Sequence, residues 1–144
     1  MSKASFAGAW KLLSSEMRTS SGDVQYPLGK DCAGRLVIDA DGNFSAQLMR
    51  RDRPKFASDD VVRGTDDEIR AAYQGYVSFW SQMEVDEAKK EISYVVEGTL
   101  FPNWLGHRNL RYYEFDDNRL TLKTPTFLMA EQEVTGVLIW ERIS

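Results

Sequence analysis

Three polar side chains occupy every second position in the last third of the chain: His107, Asn109 and Arg111. Alternate residues of a β-strand point to the same face of a sheet, so a strand here would present all three together. A guanidinium offers several fixed N–H donors to a carboxylate or carbonyl oxygen, and an imidazole exchanges a proton near neutral pH. We therefore expect a polar strip that binds a ligand, in which His107 and Arg111 are the candidates for any catalytic role.

The turn after this strip predicts which way its side chains face. Asp117-Asn118 is typical of a two-residue turn between strands over 107–116 and 119–124, because both residue types tolerate positive φ. The register has three cross-strand pairs: Phe115 with Leu120, Tyr113 with Leu122, and Arg111 with Thr124. The other face carries Glu114, Arg119, Thr121 and Lys123. The mostly apolar face, which includes Arg111, Asn109 and His107, is therefore predicted to point inward.

Arg111 and His107 also have simpler explanations. An inward arginine is costly unless it is paired or hydrated, and either Glu97 or a ligand carboxylate could be the partner. Alternatively, Arg111 forms a structural ion pair, or strand twist and a bulge turn it outward. His107 could be a general base or a lone haem ligand, or it could only form a hydrogen bond with backbone at a loop edge.

A hairpin in the first half supplies further candidates for a ligand-binding face. Ala40-Asp41-Gly42 is a three-residue loop in which glycine takes the left-handed position, between strands over 34–39 and 43–50. Phe44 and Leu48 then share an apolar face with Leu36, Ile38 and Ala46. Three polar-tipped aromatic residues elsewhere suit a pocket because they give apolar area and one oriented hydrogen bond: Tyr26, Tyr94 and Trp104.

The elements that must position these residues are mostly short strands joined by turns. The predicted strands cover 9–17, 34–39, 43–50, 76–85, 91–98, 107–116, 119–124 and 133–143. Sequential hairpins of this kind favour an all-β fold, an up-and-down antiparallel β-barrel of about eight strands, although a sandwich fits the same pattern. A barrel of this size can hold one small ligand. The segment over 50–64 is long and charged, which is typical of a lid or a binding loop.

One short helix interrupts the strands. Thr65 and Glu68 form a capping box, which predicts a helix that begins at Asp66 and lies across an end or a side of the barrel. Ile69, Ala72, Tyr73 and Tyr76 follow at helical spacing, and Gly75 is a plausible stop.

Composition limits the class of protein. A chain of 144 residues with 42% hydrophobic content suits one domain over 1–144 with one core. The net charge of −4 argues against nucleic acid as a partner. The single cysteine, Cys32, excludes an internal disulfide, and no metal-ligand cluster or phosphate-binding loop is present, so no cofactor is expected. Without a signal peptide or a membrane span, a cytoplasmic setting is expected.

Both ends of the chain carry a recognisable pattern. Gly8-Ala9-Trp10 opens the first strand and Trp140-Glu141-Arg142 closes the last, which resembles the lipocalin signature of a tryptophan covered by an arginine from the other end. Almost the whole chain resembles the family of short intracellular bacterial and fungal lipocalin-like proteins. The stretches that carry the resemblance are 8–12, 26–29, 45–50, 53–57, 83–86, 97–104 and 138–142. The resemblance implies a calycin-type barrel but no single activity or catalytic motif.

The expected function is the binding of a small, mostly apolar ligand, with a carboxylate or carbonyl group, inside the barrel. The alternative is a cofactor-free isomerase or cyclase that acts on a small biosynthetic intermediate in the same cavity. A third possibility is a barrel with a filled core whose outer face forms a homodimer.

Overall fold

The computed structural model describes residues 3–144, which form a predominantly β structure. Two short α-helices are α1 (Lys3–Phe6) and α2 (Asp66–Gln74), and one 3₁₀ turn covers Pro102–Trp104. The strands are β1 (Gly8–Thr19), β2 (Val24–Gln25), β3 (Cys32–Ile38), β4 (Asn43–Arg50), β5 (Tyr76–Asp86), β6 (Glu91–Val95), β7 (Gly98–Thr99), β8 (Arg108–Asp116), β9 (Arg119–Lys123), β10 (Phe127–Met129) and β11 (Gln132–Arg142).

Eight of these strands close into an antiparallel barrel. The hydrogen-bonded order is β1-β3-β4-β5-β6-β8-β9-β11, and β11 returns to β1 over the pairs from Trp10–Arg142 to Thr19–Val134. The all-β barrel of about eight strands predicted from the sequence is therefore confirmed. The short strands β2, β7 and β10 were not predicted, and they pair with β1, β5 and β11 outside the closed ring.

Two turns set the registers as the sequence predicts. Ile38 pairs with Phe44 across the first hairpin, where Gly42 has φ +92°. Phe115 pairs with Leu120 across the second, where Asp117 has φ +53°. The predicted Arg111–Thr124 pair is wrong. The ladder ends one step earlier, since the Thr124 N–H donates instead to the Gly136 carbonyl in β11.

The predicted strand over 91–98 is interrupted. β6 ends at Val95, and the chain bends before β7 begins at Gly98. The bend is a bulge in the ladder with β5, because Tyr94 pairs with Met83 and Gly98 with Trp80, which leaves residues 95–97 opposite residues 81–82. The Glu97 N–H donates to the Trp80 carbonyl. A side chain at position 98 would collide with the Trp80 ring, so only glycine allows this close approach.

The first and last strands meet around Trp10, as predicted. The Arg142 guanidinium lies 4.2 Å from the centroid of the Trp10 ring, and the indole is fully buried. The Trp10 Nε1–H donates to the Phe6 carbonyl at 2.9 Å. Arg142 also donates to the carbonyls of Ala7 and Ser5, both at 2.6 Å. One arginine thus joins the last strand, the first strand and the segment that precedes it.

The segment before β1 forms the floor of the barrel. The last residue of α1, Phe6, is fully buried, and its ring contacts Tyr113 at 5.0 Å and Phe115 at 4.9 Å between centroids. These edge-on contacts fill the lower end of the interior. The space left for anything else therefore lies above Phe6.

The predicted helix is present and begins at Asp66. The Thr65 side chain accepts from the Glu68 N–H, and the Glu68 carboxylate accepts from the Thr65 N–H, which is the capping box that the sequence indicates. None of its residues is buried, and Ile69 and Tyr73 remain about half exposed. The helix lies beside the start of β5 at the upper end of the barrel, so its capping box contributes more to its stability than core packing does.

Replacing Trp10, at the seam where β1 and β11 meet, should destabilise the protein. Trp10→Ala should lower the free energy of unfolding by about 3–5 kcal/mol, because it opens a cavity and leaves Arg142 without its ring. Urea denaturation measures this, with Trp80→Ala, at a half-exposed indole, as the smaller control. Equal losses in the two variants would contradict a central role for the seam.

The capping box can be tested separately. Thr65→Ala should lower the free energy of unfolding by about 1 kcal/mol, since the Glu68 N–H loses its acceptor. Thr65→Ser keeps the hydroxyl and should retain most of the stability. A loss as large in the serine variant as in the alanine variant would show that the methyl group matters rather than the cap.

Candidate ligand-binding cavity

An apolar cavity lies in the middle of the barrel, above Phe6. Its volume is about 60 Å³, and its wall comes from β3, β4, β5, β6, β8, β9 and β11. The wall is apolar or aromatic apart from Arg111, the Tyr94 hydroxyl and the indole N–H of Trp140. Among its residues are Leu36, Phe44, Leu48, Phe79, Met83, Leu122 and Leu138.

Four residues predicted from the sequence line this cavity: Phe44, Leu48, Tyr94 and Arg111. Tyr113 and Phe115 point inward as predicted, but they lie lower, against Phe6, in the filled floor.

The remaining predicted residues lie off the cavity wall. His107 is exposed and precedes the first residue of β8, so the alternation of that strand does not extend to it. Its N–H donates to the Trp104 carbonyl, and its carbonyl accepts from Val96. Asn109 pairs with Tyr94 at the upper end of β8. Tyr26 lies outside the wall, with Lys30 Nζ 5.4 Å from its ring centroid.

Arg111 is the only charged side chain of the described residues that lines the cavity. It is half-buried, and its Nη1 donates to the carbonyl of the preceding residue, Leu110, at 2.7 Å. Its guanidinium lies 6.0 Å from the centroid of the Tyr94 ring. Within residues 3–144 no carboxylate forms an ion pair with it, so Glu97 is not the partner. Among the described residues, its side chain has one hydrogen-bond partner, the Leu110 carbonyl.

Aromatic rings connect the cavity to the upper end of the barrel. Phe44 packs edge-on against Tyr94 at 4.9 Å, and Phe79 stacks on Tyr94 at 5.9 Å with an interplanar angle of 13°. Phe79 in turn contacts Trp104 at 6.3 Å, and Trp104 contacts Phe101 at 5.5 Å. Trp104, predicted as a pocket residue, thus lies at the mouth, next to a wall residue rather than on the wall.

The sequence analysis did not place several residues on the wall that line it in the structure: Phe6, Phe79, Met83, Ile92, Leu138 and Trp140. Phe79 and Trp140 are inward positions of strands that were predicted, so the alternation of those strands could have found them. Phe6 had no such signal, because it lies in the short segment before the first strand.

The segment over 51–65 and α2 connect β4 to β5 at the upper end of the barrel. Arg53 fastens this connection, because its Nη1 donates to the Ala72 carbonyl at 3.3 Å and its guanidinium lies 4.9 Å from the Tyr76 ring centroid. The Tyr76 hydroxyl donates to Gln47 Oε1 at 3.0 Å, which ties the same group to β4. The segment is therefore attached at its root, while Val61 and Val62 near its middle are almost fully exposed.

A larger concavity of about 700 Å³ lies on the outer face of β5, β6 and β8. Its wall is charged, with Glu84, Asp86, Glu91 and Arg108 among its residues. Apolar ligands favour apolar walls, and of these two concavities the inner one has such a wall. The inner cavity is therefore the candidate site.

The family of the chain follows from the comparison with known proteins. The model of the family described as "Lipocalin-like domain" matches residues 7–143. The chain belongs to this family. The match covers both halves of the seam, Trp10 and Arg142, which the structure brings into contact.

One curated relative of this lipocalin-like domain carries a functional name. The chain is 24% identical over 107 residues to the 4'-hydroxy-3'-methoxypropiophenone carrier protein of Aspergillus oryzae, and the match covers 69% of this chain and 96% of the relative. No solved structure gives a significant match. No helix within residues 3–144 combines the length and the apolar character that crossing a membrane requires.

The buried Tyr94 should affect how the free energy of unfolding depends on pH in the alkaline range. Burial raises the pKa of Tyr94, and the positive charge of Arg111 partly opposes that rise. Above the pKa of the unfolded chain, the folded protein still holds this proton, so stability falls as the pH rises, by up to about 1.4 kcal/mol per pH unit.

The variant Tyr94→Phe should therefore lose less stability than the wild type between about pH 9.5 and 11. Guanidinium denaturation at several pH values measures the difference, and the titration of lysines cancels between the two proteins. Parallel stability curves would contradict a buried, neutral Tyr94.

Proposed function

We propose that this lipocalin-like barrel binds a small, mostly apolar molecule whose carbonyl or carboxylate oxygen accepts hydrogen bonds from Arg111. The observation that carries the proposal is an arginine with one side-chain hydrogen bond, to Leu110, on the wall of an otherwise apolar cavity. Desolvating a guanidinium is unfavourable unless an acceptor compensates it. A ligand oxygen at this point would provide that acceptor while the apolar wall holds the rest of the molecule.

The relative supports the same chemical class. Its name describes a carrier of an aryl ketone, a molecule with an apolar body and a carbonyl oxygen. The cavity of this chain offers aromatic rings for such a body, in Phe44, Phe79 and Tyr94, and a cation for such an oxygen. An aryl carbonyl compound is therefore the class of ligand that we propose.

The cavity must widen to hold such a ligand. At about 60 Å³ it has room for roughly two water molecules, whose share of liquid volume is about 30 Å³ each. The half-buried residues of the wall are Phe79, Arg111, Leu122 and Leu138. Arg111 is held by a hydrogen bond to Leu110 and by the Tyr94 ring rather than by an ion pair. We propose that the ligand displaces Arg111 and Phe79 toward the mouth.

Binding is favoured over catalysis by the chemistry of the wall. Proton transfer in an isomerase or a cyclase needs a group that takes up and returns a proton beside the substrate. The described wall residues include no carboxylate and no imidazole, and His107 is exposed outside it. Arg111 can hold and polarise a carbonyl, which is sufficient for a carrier.

The single cysteine bears on the cellular compartment in which the protein acts. Cys32, the single cysteine, is free and buried, and burial raises the pKa of its thiol. A protonated, shielded thiol is unreactive, which suits a chain kept in a reducing environment. We propose that the protein acts in the cytoplasm.

The role of Arg111 is testable with an aryl ketone. Arg111→Leu should weaken the binding of propiophenone by about 10- to 150-fold, the equivalent of about 1.5–3 kcal/mol for a hydrogen bond to a charged group. Isothermal titration calorimetry measures the dissociation constant. The matched control is Arg108→Leu, which removes an arginine from the outer face of the same strand and should leave the affinity unchanged.

Two results would count against the proposal. If neither propiophenone nor benzoate binds to the wild type, the cavity does not serve this class of ligand. If both bind but the two variants weaken binding equally, Arg111 does not hold the ligand oxygen.

A further inference from the structure

A second hydrogen-bond donor lies in the wall of the cavity without a partner. Trp140 is 1% exposed and lines the cavity, and its Nε1–H is buried with no acceptor in the described chain. Trp10, the other fully buried tryptophan, differs, because its Nε1–H donates to the Phe6 carbonyl at 2.9 Å. Three other buried polar atoms also lack a partner, namely Arg53 Nε, Thr99 Oγ1 and Tyr113 Oη, but none of these residues lines the cavity.

A buried N–H donor without a partner is expected to bind an acceptor. A buried polar group without a hydrogen bond is unfavourable, and the great majority of such groups in folded proteins are satisfied by protein, water or ligand. The strand neighbours of Trp140 are Leu12 and Leu120, which offer no polar side chain. An oxygen on an otherwise apolar ligand in the cavity would provide the acceptor.

The two donors lie at different heights of the barrel. Trp140 pairs with Leu120, which pairs with Phe115 at the filled floor. Arg111 precedes Phe115 by four residues on the same strand and therefore lies nearer the mouth, while both Arg111 and Trp140 line the cavity. The cavity therefore has a cationic donor toward its mouth, a neutral donor toward its floor, and an apolar wall between them.

We propose that the ligand carries two acceptor oxygens, one at each end of an apolar body. A carbonyl oxygen binds Arg111, and a methoxy or hydroxyl oxygen at the far end of the molecule accepts from the Trp140 Nε1–H. This inference rests on the proposed function, because it assumes that Arg111 holds the carbonyl. It adds the orientation of the ligand. It also adds a second contact that determines specificity, because molecules without an acceptor oxygen at the end near Trp140 would bind less tightly.

A series of three compounds separates the two contacts. Propylbenzene has no acceptor oxygen, propiophenone has the carbonyl, and 4'-methoxypropiophenone adds an acceptor at the far side of the ring. For the wild type we expect the dissociation constant to fall at each step, the second time by about 3- to 10-fold, as is usual for a hydrogen bond between neutral groups. Arg111→Leu should abolish the first step, and Trp140→Phe should abolish the second and leave the first.

The indole N–H provides a readout that does not depend on a variant of this core residue folding well. In ¹⁵N–¹H correlation spectra of the wild type, the Nε1–H signal of Trp140 should move downfield with 4'-methoxypropiophenone and much less with propiophenone. The Trp10 signal serves as an internal reference, because its hydrogen bond to Phe6 should persist in both complexes.

The outcomes separate this inference from the proposed function. If propiophenone binds through Arg111 but the methoxy group changes neither the affinity nor the Trp140 signal, the two-acceptor ligand is wrong and the proposed function stands. A Trp140 signal that already shows a hydrogen bond in the free protein would identify a buried water there and would also overturn the inference. If none of the three compounds binds, the proposed function itself fails.

Discussion

The structure depends on the closure of the barrel between its first and last strands. A sheet of eight strands has two edges unless they meet, and here Arg142 of β11 lies on the Trp10 ring of β1. The same guanidinium binds the carbonyls of Ser5 and Ala7, so closing the barrel also fixes the segment before β1. Gly8 is required at this junction, because its φ is +134° and a side chain there would collide with the carbonyl of Ser144. Through this one contact, the seam determines where Phe6 lies and hence where the interior is filled.

The position of Phe6 divides the interior into a filled floor and a cavity. Because Phe6 packs against Tyr113 and Phe115, the inward residues of β8 have different roles along one strand: aromatic packing below and Arg111 above. A uniformly filled barrel would gain more stability from packing. An arginine in the upper wall loses part of this stability from packing. The loss has a physical explanation if a ligand supplies the hydrogen-bond acceptor that the apolar wall lacks.

The sequence predicted the parts of this arrangement that depend on local chemistry. Turn residues such as Gly42 and Asp117 determine the registers, and a register determines which face a residue occupies, so Phe44, Leu48 and Arg111 were correctly predicted to point inward. The predictions that failed depend on non-local contacts. The Arg111–Thr124 pair is lost to a hydrogen bond with β11, and β6 ends at a bulge in its ladder with β5. For His107, alternation was extended one residue beyond the strand, and no local signal marks Phe6 as the floor.

The size of the cavity constrains how a ligand would bind. A space of about 60 Å³ is far below the 300–1,000 Å³ of typical ligand pockets, so the wall must move. The lower wall cannot easily do so, because Phe6, Trp140 and Leu120 are almost fully buried and closely packed. The upper wall differs: Phe79 and Trp104 are partly exposed, and Arg111 has no ion pair to break. A ligand would therefore enter from the mouth, exchange the Arg111–Leu110 hydrogen bond for its own, and extend down toward Trp140. The closely packed lower wall would then determine which ligands bind, and the partly exposed upper wall would let them enter.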